Sequence, residues 1–303
     1  MKQYSFTRRQ ALLLGISTLT AASSIRLKQI NSSSRTYTSA SAPIQTFEIL
    51  GHSSLQERAK IKGLLYGAAS GRDLLVSDSE FAESFKQECG ILVAENDLKW
   101  GTLRPTPHLF DFMKGDWLAG FAKDNNMLFR GHTLVWHWLP EWFEEVANAN
   151  DAEQLLATHI RTVAGHYAGQ MHSWDVVNEA IDIADGHPDG LRRRSPWFEL
   201  MGADYIDVAF QVASEADPSS MLVYNDYGLE YDSYEDDSKR AAVLKLLERL
   251  KANGTPIHAL GIQSHLIGGA TNFNANKFRE FLASVASMGL KIMGCIPPLR
   301  VSF

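Results

Sequence analysis

From Ile61 onward, short continuous apolar runs alternate with amphipathic stretches, so that strand and helix signals follow one another along the chain. The apolar runs predict strands at Lys62–Ala69, Ile91–Glu95, Leu128–Val135, Ser173–Asn178, Met221–Asn225, Ala259–Ser264 and Leu290–Met293. Most are uninterrupted rather than alternating, which is the pattern of parallel strands covered on both faces. The intervening stretches predict helices at Asp78–Glu88, Met113–Asp124, Asp151–Tyr167, Tyr205–Glu215, Glu235–Lys251 and Ala275–Ser287. Asp78 and Asp151 stand as start signals, and Gly254 and Gly289 as stops. In the fifth helix Ala242, Leu244, Leu246, Leu247 and Leu250 form one apolar face, suited to packing on a sheet.

This βα order fits an open doubly wound sheet or a barrel. No Gly-x-Gly-x-x-Gly turn follows the first strand, and polar residues gather after many strands rather than at one switch point. The pattern therefore favours an α/β (β/α)8 TIM barrel. Such a barrel needs about 250 residues, and the pattern stops at the seventh strand, so the expected fold is C-terminally incomplete.

Residues 1–42 have a different character. Thr7-Arg8-Arg9-Gln10 leads into the apolar stretch Ala11–Ala22, which is shorter than the roughly 18 residues needed to span a bilayer. The pattern is that of a twin-arginine-type signal peptide followed by a Ser-rich linker, Asn31–Ala42, with Ala40-Ser41-Ala42 as a small-x-small cleavage site. The remaining residues, 43–303, are expected to form the barrel, exported to the periplasm or the cell exterior with no membrane span after signal removal. The chain has a formal net charge of −6, and residues 1–42 hold six Lys or Arg and no Asp or Glu, so residues 43–303 carry −12. That excess disfavours nucleic acid or an anionic membrane as partner, whereas a neutral polymer meets no such repulsion. The two cysteines, Cys89 and Cys295, read as one buried and one incidental thiol, with no cluster for a metal.

Functional side chains of a βα barrel project from the C-terminal strand ends. Here those ends deliver Glu95, Asn96, Lys99 and Trp100; then His132, Trp136 and His137; then Asn178 and Glu179; then Asn225, Asp226 and Tyr227; and finally Gln263 and His265. Amides, imidazoles and an ammonium hydrogen-bond sugar hydroxyls, and indole faces cover the apolar face of a pyranose. Any one of these residues is weak evidence, since a lone strand His is more often a core residue and Trp100 or Trp174 could simply pack. Five strand ends carrying sugar-compatible groups form a pattern. A carboxylic acid beside an amide, as in Asn178-Glu179, is what glycosidic bond cleavage uses. His132 and His137 flank no carboxylate pair at ligand spacing, and neither a metal nor another cofactor is expected.

Five segments resemble glycoside hydrolase family 10, the xylanases: Glu95-Asn96-x-x-Lys99-Trp100, Gly131-His132-Thr133-Leu134-Val135-Trp136-His137, Trp174-Asp175-Val176-Val177-Asn178-Glu179-Ala180, Tyr224-Asn225-Asp226-Tyr227 and Gln263-x-His265. The resemblance spans about Gly63 to Met293 and follows the family's order. It implies a retaining endo-hydrolase of β-1,4-xylan or another β-1,4-linked polysaccharide. Glu179 would be the acid/base, and Asn178 would bind the sugar 2-hydroxyl. Glu95, Asn96, Lys99, His132 and Trp136 would line the glycone side, Gln263 would sit near the reacting sugar, Tyr227 would face the aglycone side, and His265 would hold the nucleophile carboxylate. Strand-four Asn-Glu is shared with barrel enzymes acting on β-glucan, which keeps that substrate as an alternative.

The chain departs from the family in two places. Gly289-Leu290-Lys291-Ile292-Met293 matches the family, in which it leads to a strand end bearing Thr-Glu-Leu-Asp with the nucleophile Glu. Here Ile296 takes the place of that Glu, and Pro297-Pro298 cannot continue a paired central strand. The nucleophile is expected to be absent, through a shifted reading frame, a truncated gene product or a degenerate homologue. Negligible xylanase activity follows for this chain, and a non-catalytic xylo-oligosaccharide-binding barrel becomes the alternative function. After strand three the family commonly has two residues, often ending in Gln, before Leu-Pro. Trp138 alone fills that gap, either stacking on sugar or packing. The signal reading is checked by N-terminal sequencing of exported protein, which is expected to begin at Pro43 rather than Met1.

Overall fold

The computed structural model describes residues 53–267 and 270–294. Seven strands form one parallel sheet in sequence order: β1 (Gly67–Ser70), β2 (Ile91–Ala94), β3 (Leu128–Val135), β4 (Ser173–Asn178), β5 (Met221–Asp226), β6 (Ala259–Ile262) and β7 (Lys291–Gly294). Each pairs with the next, from Gly67 opposite Ile91 at one side to Ile262 opposite Gly294 at the other. Helices cover the outside, among them Met113–Asp124, Ala152–His166, Tyr205–Ala216 and Tyr234–Ala252. This is a (β/α)8 barrel lacking one strand among the described residues.

β3 and β4 form where their sequence places them. All six residues of β4 are buried, as a strand covered on both faces requires. β1 starts five residues later than its apolar run. The segment before it forms a helix, Leu55–Ile61, held by a capping box in which Ser54 accepts from the Glu57 N–H and the Glu57 carboxylate accepts from the Ser54 N–H. β6 stops at Ile262 rather than Ser264, because Ser264 has φ 50° and left-handed backbone cannot continue a strand. Asp78 caps its helix through the Phe81 N–H, whereas Asp151 makes no such bond to its own helix and instead accepts from Asn148. The expected signal segment and cleavage site, Cys295, Ile296 and Pro297-Pro298 lie outside the described residues.

Two layers of core result. Between sheet and helices lie Leu156, Ile160, Val163, Ile206, Phe210, Leu246, Leu247 and Leu250, all buried. Each such side chain contributes about 1.5–3 kcal/mol when fully buried. Inside the sheet's curve the residues are charged. Arg130 on β3 bonds Asp175 on β4 through Nη2 at 2.5 Å and Nε at 3.1 Å, and its Nη2 lies 3.4 Å from Asn225 Oδ1 on β5. Gly261 on β6 makes room for this contact, since a Cβ there would fall 2.3 Å from Asn225 Oδ1. Gly131 does the same for Trp174, whose indole would lie 2.1 Å from a Cβ.

Burial fades toward the sheet's ends. β7 is mostly exposed, and β1 is only partly covered. A cavity of about 730 Å3 runs along the inner wall between these two strands, lined by Gly67–Ala69 and Lys291–Gly294 and opening at the strand tips.

One core contact sets a pH response. His159 is fully buried in the Ala152–His166 helix, with its ring stacked 3.6 Å from Trp100. Burial, helped by the Arg104 charge, holds its pKa well below the ordinary histidine value. The folded ring stays neutral while the unfolded one takes up a proton below about pH 6.5. Stability is therefore present above that pH and lost as the pH falls. Urea unfolding at about pH 7.5 and about pH 5.5 is expected to show a smaller acid loss for His159→Phe, by up to about 1.4 kcal/mol per pH unit.

Candidate active site

Glu179 directly follows the last residue of β4, and its backbone is left-handed, with φ 59°. A non-glycine residue rarely adopts that conformation unless its surroundings enforce it. Here the Glu179 N–H donates to Asn225 O at 2.9 Å on the neighbouring strand. Arg192 Nε donates to the Glu179 carbonyl at 3.0 Å, and the Arg192 N–H donates to Ala180 O at 2.8 Å. Both peptide groups around Glu179 are thereby pinned, and its side chain turns over the barrel mouth.

Each carboxylate oxygen of Glu179 then receives one donor. Trp136 Nε1 donates to Oε2 and Gln263 Nε2 to Oε1, both at 2.9 Å. Gln263 Nε2 also donates to Asn178 Oδ1 at 3.0 Å, and Asn225 Nδ2 reaches the same oxygen at 2.8 Å. With two donors on its carbonyl oxygen, Asn178 keeps its NH2 group as the end that a hydroxyl would meet.

Burial alone would raise the Glu179 carboxyl. The bonds from Gln263 and Trp136, followed by the charges of His137 and Lys239, outweigh it and hold the group below the ordinary glutamate value. His137 Nδ1 lies 3.9 Å from Glu179 Oε2. Its own pKa is pulled down to about 4, first by burial and then by the Arg192 charge, so it lends positive charge only in acid. His137 follows the end of β3 by two residues, so strand alternation does not set its direction, and it faces Glu179.

The other residues singled out in the sequence gather around this carboxylate. Glu95, Lys99, His132, Trp136, Asn178, Glu179, Gln263 and His265 line the one cavity. Lys99 Nζ donates to Asn96 Oδ1 at 2.9 Å and stands 4.7 Å from the Trp136 ring centroid. Burial lowers the Lys99 pKa, and the charges of Glu95 and Glu179 pull it back up. His132 Nδ1 is 2.9 Å from Asp175 Oδ2, which fixes the ring from below. Asp175 stays ionised because the Arg130 charge and the His132 bond outweigh its burial.

Tyr227 stands beside the cavity, tied to it through Arg192, whose Nη2 donates to the Tyr227 hydroxyl at 3.4 Å. His265 Nε2 sits 2.7 Å from Gln263 Oε1, so among the described residues it braces the amide that holds Glu179 rather than a second carboxylate.

Two contributors escape sequence reasoning. Arg192 belongs to an arginine run, Arg192-Arg193-Arg194, in an acidic domain, and Lys239 lies in the Tyr234–Ala252 helix, yet both are turned inward. Lys239 Nζ pairs with buried Asp226 Oδ1 at 2.7 Å and lies 3.3 Å from the Tyr227 ring centroid. No local sequence pattern marks either side chain as inward-facing. Among the described residues no group of three His, Cys, Asp or Glu is arranged to hold a metal.

An acid pinned between an indole and an amide, with a second amide beside it and imidazole and ammonium groups around it, is chemically a site for a polyhydroxyl ligand with a proton to exchange. Relatives bear the same architecture. The chain is 42% identical over 184 residues to the β-1,4-xylanase of Dictyoglomus thermophilum, covering 59% of this chain and 49% of that protein. It is 36% identical over 218 residues to endo-1,4-beta-xylanase 3 of Hypocrea jecorina, covering 71% and 60%. It thus spans about half to three-fifths of the length of these curated relatives. Native xylanase 10B from Thermotoga maritima superposes with a TM-score of 0.71 at 34% identity, over 79% of this chain and 72% of that one. Xylanase 10B from Thermotoga petrophila RKU-1 in complex with xylobiose gives 0.73 at 33%, over 81% and 73%. Residues 54–294 match the profile of glycosyl hydrolase family 10, and the chain belongs to that family.

Proposed function

We propose that this chain is the larger part of a retaining endo-β-1,4-xylanase barrel, exported by its twin-arginine-type leader, in which Glu179 is the acid/base. The observation that carries the reading is the clamp on Glu179: Trp136 and Gln263 hold one oxygen each, and Asn178 is aligned beside them. In a retaining cycle Glu179 would protonate the leaving oxygen and then deprotonate the attacking water, while Asn178 would bond the 2-hydroxyl as charge develops on the ring. Lys99 and His132 would bind hydroxyls on one side of the scissile bond, and Tyr227 would carry the ring on the other.

The low pKa of Glu179 bears on whether this chain turns over substrate. A general acid needs a raised pKa, and in a retaining pair the partner carboxylate about 5–5.5 Å away supplies that rise by like-charge repulsion. Ile296 stands at the nucleophile's place in the sequence. Among the described residues the donors and cations about it prevail, and Glu179 is held ionised, which suits binding and disfavours protonating a leaving group. The same observation favours the second reading, a barrel that binds xylo-oligosaccharides without cleaving them.

Three measurements test these statements. A carboxyl 13C titration of Glu179 is expected to give a midpoint below that of a free glutamate, and Gln263→Leu is expected to raise it; an unchanged midpoint in the variant would show that Gln263 is no determinant. Reducing-sugar release from xylan by this chain is expected to match its Glu179→Gln variant, at background, while calorimetry detects xylo-oligosaccharide binding. Turnover that depends on Glu179 would refute the first expectation, and absence of any binding would refute the assignment of the site.

A further inference from the structure

We propose that Trp138 is a sugar platform, a subsite for one pyranose ring of a β-1,4-linked oligosaccharide lying outward from the Glu179 centre. The inference rests on the functional reading above. Of the seven tryptophans, Trp138 is the exposed one, at 69%, while Trp100, Trp174 and Trp197 are fully buried. An indole with so much surface in water is not there to fill the core.

Its place joins it to the site. Trp138 stacks on Trp136 with centroids 5.8 Å apart and planes at 24°. Trp136 in turn bonds Glu179 Oε2 through its Nε1. The aromatic surface therefore continues outward from the acid/base, in a run that passes from carboxylate to bound indole to open indole. His137, between the two in sequence, faces Glu179, with Nδ1 3.9 Å from Oε2. No hydrogen-bond partner is assigned to the Trp138 indole N–H among the described residues, so it is available to a hydroxyl at the platform's edge.

The partner chemistry follows from the surface. A flat apolar face with one donor at its rim matches the C–H face of a pyranose and one of its hydroxyls. Such a face makes the subsite depend on ring contact more than on hydroxyl stereochemistry, so it accepts xylose and glucose units alike.

Calorimetry with xylobiose, xylohexaose and cellohexaose on the chain and on Trp138→Ala and Trp138→Phe tests the proposal. Trp138→Ala is expected to weaken xylohexaose and cellohexaose binding about tenfold each and leave xylobiose within about twofold, and Trp138→Phe to keep most of the affinity. Circular dichroism identical to the parent's shows the fold intact, and a xylohexaose-induced blue shift of emission present in the parent and missing in Trp138→Phe reports direct contact. Equal xylohexaose affinity in Trp138→Ala, or equal loss for xylobiose, overturns the platform. A parent that binds neither xylo-oligosaccharide overturns the functional reading and the platform with it.

Discussion

The buried Asp175 carboxylate holds the barrel's working end together. It sits on β4, accepts two bonds from Arg130 on β3, and meets the His132 ring with its other oxygen. Its backbone carbonyl also takes the Thr133 hydroxyl at 2.8 Å. Taking one partner from such a buried pair costs about 3–5 kcal/mol, because an uncompensated charge remains in the interior. The pair therefore sets the registration of β3 against β4 more strictly than apolar packing does. The ladder between those strands shifts between His132 and Val135, so their tips are placed by side-chain bonds rather than by regular pairing. His132 and, four residues along from Asp175, Glu179 inherit their positions from it.

A second constraint acts on the backbone of Glu179 itself. Its left-handed residue would relax if either peptide were released, and the two bonds that prevent this come from opposite sides: Asn225 on β5 and Arg192 in the loop after β4. Arg192 also pairs with Asp182 at 2.7 Å and touches the Tyr227 hydroxyl, so it couples the acid's backbone to the neighbouring ring. Lys239 supports that ring from beneath while neutralising Asp226, whose pKa burial still raises. The cations that orient the site thus also help to hold the pKa of Glu179 below the ordinary glutamate value.

Much of this was legible in the sequence, and the limits have physical causes. β3 and β4 could be bounded to the residue because β4 is a continuous buried run and β3 a mostly buried one, each ending in chemistry. β1 could not, because Leu64 and Leu65 continue its apolar run although the chain there is still leaving the Leu55–Ile61 helix and both side chains are exposed. The residues around Glu179 were recognisable by type and by their place at strand tips. Arg192 and Lys239 were not, since long side chains on a loop and a covering helix reach the site across space, and nothing in local periodicity distinguishes an inward lysine from a solvated one. His265 was expected to hold the nucleophile carboxylate, whose place lies outside the described residues, and among the described residues it meets Gln263, two residues before it.

The gradient of burial across the sheet explains why the legible half of the site is also the firm half. A parallel strand is rigid when neighbours bond it on both sides and both of its faces are buried, as for β3, β4 and β5, with helices outside and the polar network within. β7 has β6 on one side, and its residues are largely open to solvent. Positioning for catalysis tolerates errors of only about half an ångström, and a strand held along one edge does not meet that standard. Among the described residues β7 is therefore a weaker support than β3, β4 or β5 for a group carried at its tip. An electrostatic pairing across the barrel mouth depends in this way on the hydrogen-bond ladder that fixes the distance between its partners.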